Sequence, residues 1–190
     1  PMKIIALPQV LLLGLLHTGA FPALIQWALV AGGAGKTAVL VYTMPFWTIP
    51  IAWWVLGERI RGLQWLTIGI AACGLVLILE PWNMRGSPLS NVLALLGGLT
   101  WAAAAVHAKR MRRDHEFDLL ALTAWQMLFG ALAVCVLALV LPSRAIDPTP
   151  YFYGALVFNA VFATGLAWLL WLYILQHVSA GMAGLSALGI

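Results

Sequence analysis

The sequence predicts an all-α polytopic membrane protein, a bundle of spanning helices, and three observations carry that prediction. The chain is 63% hydrophobic and only 8% charged, where soluble domains are about a quarter charged. Its apolar residues come in six long runs without Asp, Glu, Lys or Arg: Val10–Ala31, Thr37–Leu56, Leu63–Leu79, Leu89–Ala108, Leu119–Leu141 and Tyr151–Leu175. A helix rises about 1.5 Å per residue, so roughly 20 residues cross the hydrocarbon core. The runs are also apolar all round, without the period-two alternation of a membrane-spanning strand.

The first run holds His17, Thr18 and Trp27, and the second holds Tyr42, Thr43, Pro45 and Pro50. Each proline removes a backbone donor and clashes with the preceding turn, so a bend is expected at both. A six-residue polar hinge, Gly57-Glu58-Arg59-Ile60-Arg61-Gly62, leads into the third run, which carries Gly69 and Gly74. That run is short and borrows flanking residues to span. Trp101 lies in the fourth run, Gln126 in the fifth, and Asn159 and Trp168 in the sixth. A seventh begins at Ser179.

Lys and Arg divide unevenly between alternate loops. One side has seven, Lys3, Arg59, Arg61, Lys109, Arg110, Arg112 and Arg113; the other has three, Lys36, Arg85 and Arg144. By the positive-inside rule the loops at 57–62 and 109–117 face the cytoplasm. The basic cluster at 109–113 runs directly into Asp114, Glu116 and Asp118, which fits a topology-setting loop and not a nucleic-acid surface. Cys73 and Cys135 fall in separate spans, where thiols behave as small apolar groups and not as a disulfide or metal framework. Gly32-Gly33-Ala34-Gly35-Lys36-Thr37 ends like a phosphate-binding loop. However, the required earlier glycine is Val30, and an apolar helix precedes the motif in place of a strand.

Shifting the chain by 146 residues pairs the first span with the sixth. Thr18-Gly19 meets Thr164-Gly165, Leu24 meets Leu170, Leu29 meets Leu175, and Ala34-Gly35 meets Ala180-Gly181. Internal repeats are a common plan among secondary transporters. Extending this offset, the chain is expected to be a piece of a longer protein of ten spans in two five-helix halves. Because five is odd, the halves have opposite orientation. Residues 1–80 are then the end of the first repeat, with three spans. Residues 81–190 are the start of the second, with three spans and the beginning of a fourth.

The series Pro45, Gly57-Glu58, Trp65, Gly69 and Gly74, with Trp27-Ala28-Leu29 before it, resembles the EamA-like branch of the drug/metabolite transporter superfamily. Trp101-Ala102, Lys109-Arg110, Gln126, Tyr173 and Ser179 match it in the second half. The resemblance covers almost the whole chain, aligned to the family's helices three through the start of nine. It implies a secondary transporter that moves a small metabolite or amino-acid-like solute across the cytoplasmic membrane, as export, by alternating access. It implies no enzyme chemistry and no cofactor.

Within that reading His17, Trp27, Tyr42, Trp101, Gln126, Asn159 and Trp168 are candidate pathway residues, because polar groups in a span must find partners away from lipid. Trp27, Trp101 and Trp168 together would make an aromatic wall; packing and lipid contact are the competing roles. Pro45 and Pro50 are gating or packing kinks, and Gly57, Gly69 and Gly74 are structural positions. Glu58 at the hinge is expected to fix the turn and pair with a neighbouring arginine rather than carry protons. Expected partners are the lipid bilayer and a small-molecule solute; a homodimer is compatible with the sequence, and no nucleic-acid partner is expected. The alternatives are a non-transporting membrane scaffold, an inactive truncated fragment or, further off, an integral membrane enzyme.

Overall fold

A computed structural model describes residues 7–59, 62, 64–79, 87–114, 118–141 and 148–186. Lys3, Arg61, Trp82, Arg85, Arg144 and residues 115–117 lie outside the described residues. Among those described, every regular element is helical. Seven helical stretches follow in order: α1 Leu7–Gly32, α2 Ala34–Leu56, α3 Gln64–Leu79, α4 Pro88–Asp114, α5 Leu119–Val140, α6 Pro150–His177 and α7 Ala180–Ser186. Of these, α1, α2, α4, α5 and α6 are long and apolar enough to cross a membrane. As described, α3 has 16 residues and is shorter than that. This is a polytopic helical membrane protein.

Local chemistry accounts for several helix ends. Asp118 accepts the Ala121 N–H at 2.7 Å and starts α5, and Thr149 accepts the Phe152 N–H at 3.2 Å ahead of Pro150. Such caps satisfy donors that the first turn leaves unpaired. Gly57 ends α2 in the left-handed region (φ 69°), donating to Trp53 O, while the next N–H reaches back to Ala52 O. This is a Schellman-type stop, which favours glycine because a β-carbon strains that conformation. It sets Glu58 at the end of the bundle.

α2 is interrupted at Tyr42-Thr43, directly before Pro45, and Pro45 sits in the first turn of the restarted helix Met44–Leu56. Pro50 lies inside that helix. The Thr43 and Thr48 hydroxyls donate to Leu40 O and Met44 O at 2.7 and 2.8 Å, covering carbonyls around the break.

α1 and α6 each contain a wide turn of π-helix, at Leu15–Ala20 and Asn159–Leu166. In α1 the cause is Pro22, which has no N–H to give to the carbonyl four residues earlier. In α6 the wide turn begins at Asn159, whose side-chain amide donates to Ala155 O at 2.9 Å beside its own backbone N–H. Shifted by 146, Leu15–Ala20 becomes 161–166, inside the second π segment, and the break at Gly33 falls on the break at Ser179. The offset seen in the sequence therefore recurs in the helix interruptions.

α4 is the most buried span and packs against α1, α2, α6 and α7. Small residues let its neighbours approach: Gly97 faces Ile25, Gly98 faces the Val41 carbonyl, and the Ser90 hydroxyl donates to Ala28 O at 2.7 Å. In lipid, where there is no hydrophobic drive between helices, close backbone packing of this kind holds a bundle together. α5 seats on α1 through Gly14 and Gly130. There Thr18 Oγ1 lies 2.8 Å from Gln126 O and 3.0 Å from Gly14 O, sharing its one proton.

Candidate functional site

Seven polar side chains are buried in the described chain: His17, Thr37, Thr43, Thr48, Ser90, Thr123 and Gln126. The five hydroxyls are all satisfied by helix carbonyls at 2.7–2.8 Å. His17 and Gln126 are the exceptions, and they are neighbours. Both are fully buried, and neither His17 nitrogen nor either Gln126 side-chain atom has a hydrogen-bond partner. The imidazole and the carboxamide approach each other, but without an acceptable bond geometry. A buried polar group without a partner costs about 1–3 kcal/mol. Two adjacent ones within spanning helices make this the candidate site.

Aromatic rings from α4 and α6 pack against His17. His17 meets Trp168 edge to face with centroids 3.9 Å apart, and Trp101 at 6.1 Å. Trp101 in turn lies 4.5 Å from Trp171, whose indole Nε1 is also buried and unpaired. The wide turn at Leu15–Ala20 carries His17 itself, and π turns are frequent at functional sites. α1, α4, α5 and α6 thus each contribute a side chain: His17, Trp101, Gln126, and the pair Trp168 and Trp171.

The other sequence candidates lie elsewhere. Trp27 is 44% exposed and outside this ring cluster, so the aromatic wall consists of Trp101, Trp168 and Trp171. Tyr42 sits half-exposed at the α2 break, and Asn159 is exposed, bonded within its own helix. Gly69 and Gly74 on α3 have nothing among the described residues within 4 Å of where a β-carbon would sit. Trp171 was the harder residue to find from sequence. Its signal is the three-residue spacing from Trp168, which puts both indoles on one helix face.

A second constellation closes one end of the bundle. Glu58 Oε1 is 2.9 Å from Lys109 Nζ, and Glu58 Oε2 accepts the Ala180 N–H at 3.0 Å. Lys109 also donates to Val178 O, and Arg113 Nη1 reaches Leu56 O at 3.5 Å. One carboxylate therefore holds the start of α7, while two cations cover the ends of α6 and α2, the charge pattern that helix dipoles favour. Among the described residues the ion-pair partner of Glu58 is Lys109 on α4, where a neighbouring arginine was expected; Arg61 lies outside them. A cavity of about 530 Å³ opens beside this clasp, lined by Leu56, Lys109, Arg112, Arg113 and Gln176. Pro45 is also at this junction, 3.5 Å from where a β-carbon on Gly184 of α7 would lie.

The family model of the EamA-like transporter family matches residues 1–80 and 88–188. The chain is 28% identical over 182 residues to a Bacillus subtilis protein named uncharacterized transporter YoaV, covering 93% of this chain and 60% of that one. It is 27% identical over 152 residues to an Escherichia coli protein named uncharacterized inner membrane transporter YedA, covering 79% and 48%. A riboflavin transporter of Rhizobium johnstonii is 33% identical over 76 residues, covering 40% and 25%. The chain thus spans about half to three-fifths of the first two relatives' length. No solved structure matches. The residues that make the clasp and the buried pair all fall within the matched ranges, and the chain belongs to the EamA-like transporter family.

Proposed function

We propose that the protein containing this chain is a secondary transporter of the cell membrane that exports a small metabolite by alternating access, with no covalent chemistry. The observation that supports this reading best is the buried His17–Gln126 pair, left without partners, with Trp101 and Trp168 against His17 and Trp171 behind Trp101. A solute that bonds them during passage supplies what the packed helices do not.

In this reading α1 and α6 are equivalent helices of two repeats with opposite orientation, and the site lies between them. The Glu58–Lys109 clasp joins the first repeat to the second. The positive-inside count assigns it to the cytoplasmic end, where it closes the path while the other end is open. The interruptions at Tyr42-Thr43, Leu15–Ala20 and Asn159–Leu166 are the places where the helices bend as the repeats rock.

The test is solute flux in proteoliposomes of the intact protein, across a panel of neutral, zwitterionic, anionic and cationic metabolites. Riboflavin belongs on the panel because of the name of the Rhizobium johnstonii relative. Saturable flux of one class is expected, lost or reduced about tenfold or more in His17→Ala at wild-type protein level. No flux of any compound would overturn the reading and leave a non-transporting scaffold.

A further inference from the structure

The same site restricts what the solute is, an inference that rests on the transporter reading above. Five side-chain atoms await partners there: both nitrogens of His17, the oxygen and nitrogen of Gln126, and the indole nitrogen of Trp171. An apolar solute leaves all of them unpaired and gains nothing over the closed state. No Asp, Glu, Lys or Arg is among the buried polar residues of the described chain. A carboxylate, phosphate or ammonium group brought to this depth would meet no opposite charge among the described residues, and unpaired charge in such surroundings is costly. This argues against an amino-acid zwitterion.

The shape of the site points the same way. Trp168 and Trp101 lie against His17 at centroid separations of 3.9 and 6.1 Å, and Trp171 stands behind Trp101 at 4.5 Å. These rings close on one another, so a solute must part them, and a flat ring replaces the lost contacts by stacking on the indole faces. The Gln126 carboxamide carries a donor and an acceptor side by side. Its two-point complement is an edge with an acceptor beside a donor, the pairing by which a glutamine reads a nucleobase edge.

We propose that the solute is a planar, uncharged nitrogen heterocycle with a lactam or imide edge. Gln126 pairs with the edge, His17 and the Trp171 N–H take a remaining acceptor or donor, and the indoles enclose the ring.

The experiment uses the intact protein in proteoliposomes and four probes. Quinazoline-2,4-dione has the flat ring and the imide edge. Its 1,3-dimethyl derivative keeps the ring but loses both N–H donors. Tryptophan is an aromatic zwitterion, and N-methylquinolinium a flat cation. The dione is expected to be taken up saturably, with the dimethyl compound weaker by about tenfold or more and the charged probes weaker still. Gln126→Met, checked for wild-type melting temperature, should bring the two diones to equal affinity. Equal handling of both diones by the wild type, or preference for either charged probe, would overturn the proposal and leave transport standing. No flux of these probes or of the wider panel would remove the transporter reading itself.

Discussion

Glu58→Gln is expected to destabilise the protein by about 1 kcal/mol, and Glu58→Ala by about 2 kcal/mol, with no change in the pH dependence of transport. The carboxylate makes two contacts, an ion pair with Lys109 and an acceptor bond to the Ala180 N–H. Both charged side chains are about a quarter exposed, at 24% and 23%, so the pair is discounted toward the surface value of at most about 1 kcal/mol. Glutamine keeps the acceptor for Ala180 but loses the ion pair. Alanine loses both, adding a capping loss of about 1 kcal/mol. A double-mutant cycle with Lys109→Met isolates the pair, and a coupling near zero would show that the two side chains act independently. The functional consequence follows from the clasp joining α2 to α4 and α7: weakening it favours the state open at that end. Wild-type stability with an altered pH profile would instead make Glu58 a proton carrier.

Gly130→Ala is expected to cost about 1–3 kcal/mol and to abolish solute binding. A β-carbon there would lie 2.6 Å from Thr18 Cβ and 2.7 Å from the Thr18 carbonyl carbon. Because backbone is part of the clash, no rotamer change relieves it, and α1 and α5 must separate. That separation also breaks the bond from Thr18 to the Gln126 carbonyl, which holds the two helices in register at the site. Gly19→Ala is the control, since its β-carbon would meet nothing closer than 3.4 Å. Thermal melting of both variants in detergent checks the prediction, and equal melting temperatures would contradict it.

The helices were legible in the sequence because crossing a bilayer demands long uncharged runs, and these mark the ends of α1, α2, α5 and α6 within about three residues; α4 instead runs on to Asp114, because the basic residues 109–113, expected in a loop, continue the helix beyond the apolar run. The 146-residue offset was also legible, through identities such as Thr18-Gly19 with Thr164-Gly165. His17, Trp101, Gln126 and Trp168 stood out as polar or aromatic groups inside spans, yet nothing in the sequence separated them from Trp27, Tyr42 and Asn159. The reason is physical: a helix that is apolar all round has no polar stripe to say which face meets a neighbour. Which residues converge is decided by close approaches such as Gly14 and Gly130, and by helix-end contacts such as Lys109 with Glu58, both made between separate spans. The π turns were hidden for a similar reason. Pro22 forewarns of the first, whereas the second begins at Asn159, whose side chain bonds its own helix.

In the proposed transport cycle the His17–Gln126 site opens to each side of the membrane in turn. The direct test is alkylation of Trp168→Cys by a membrane-impermeant maleimide, in a Cys73→Ser/Cys135→Ser background, with the reagent added to one side and then to the other. Labelling from both sides is expected, with protection by transported solute and faster cytoplasmic labelling when Glu58→Gln is added. Labelling from one side only, whatever the solute or the clasp variant, would contradict that cycle.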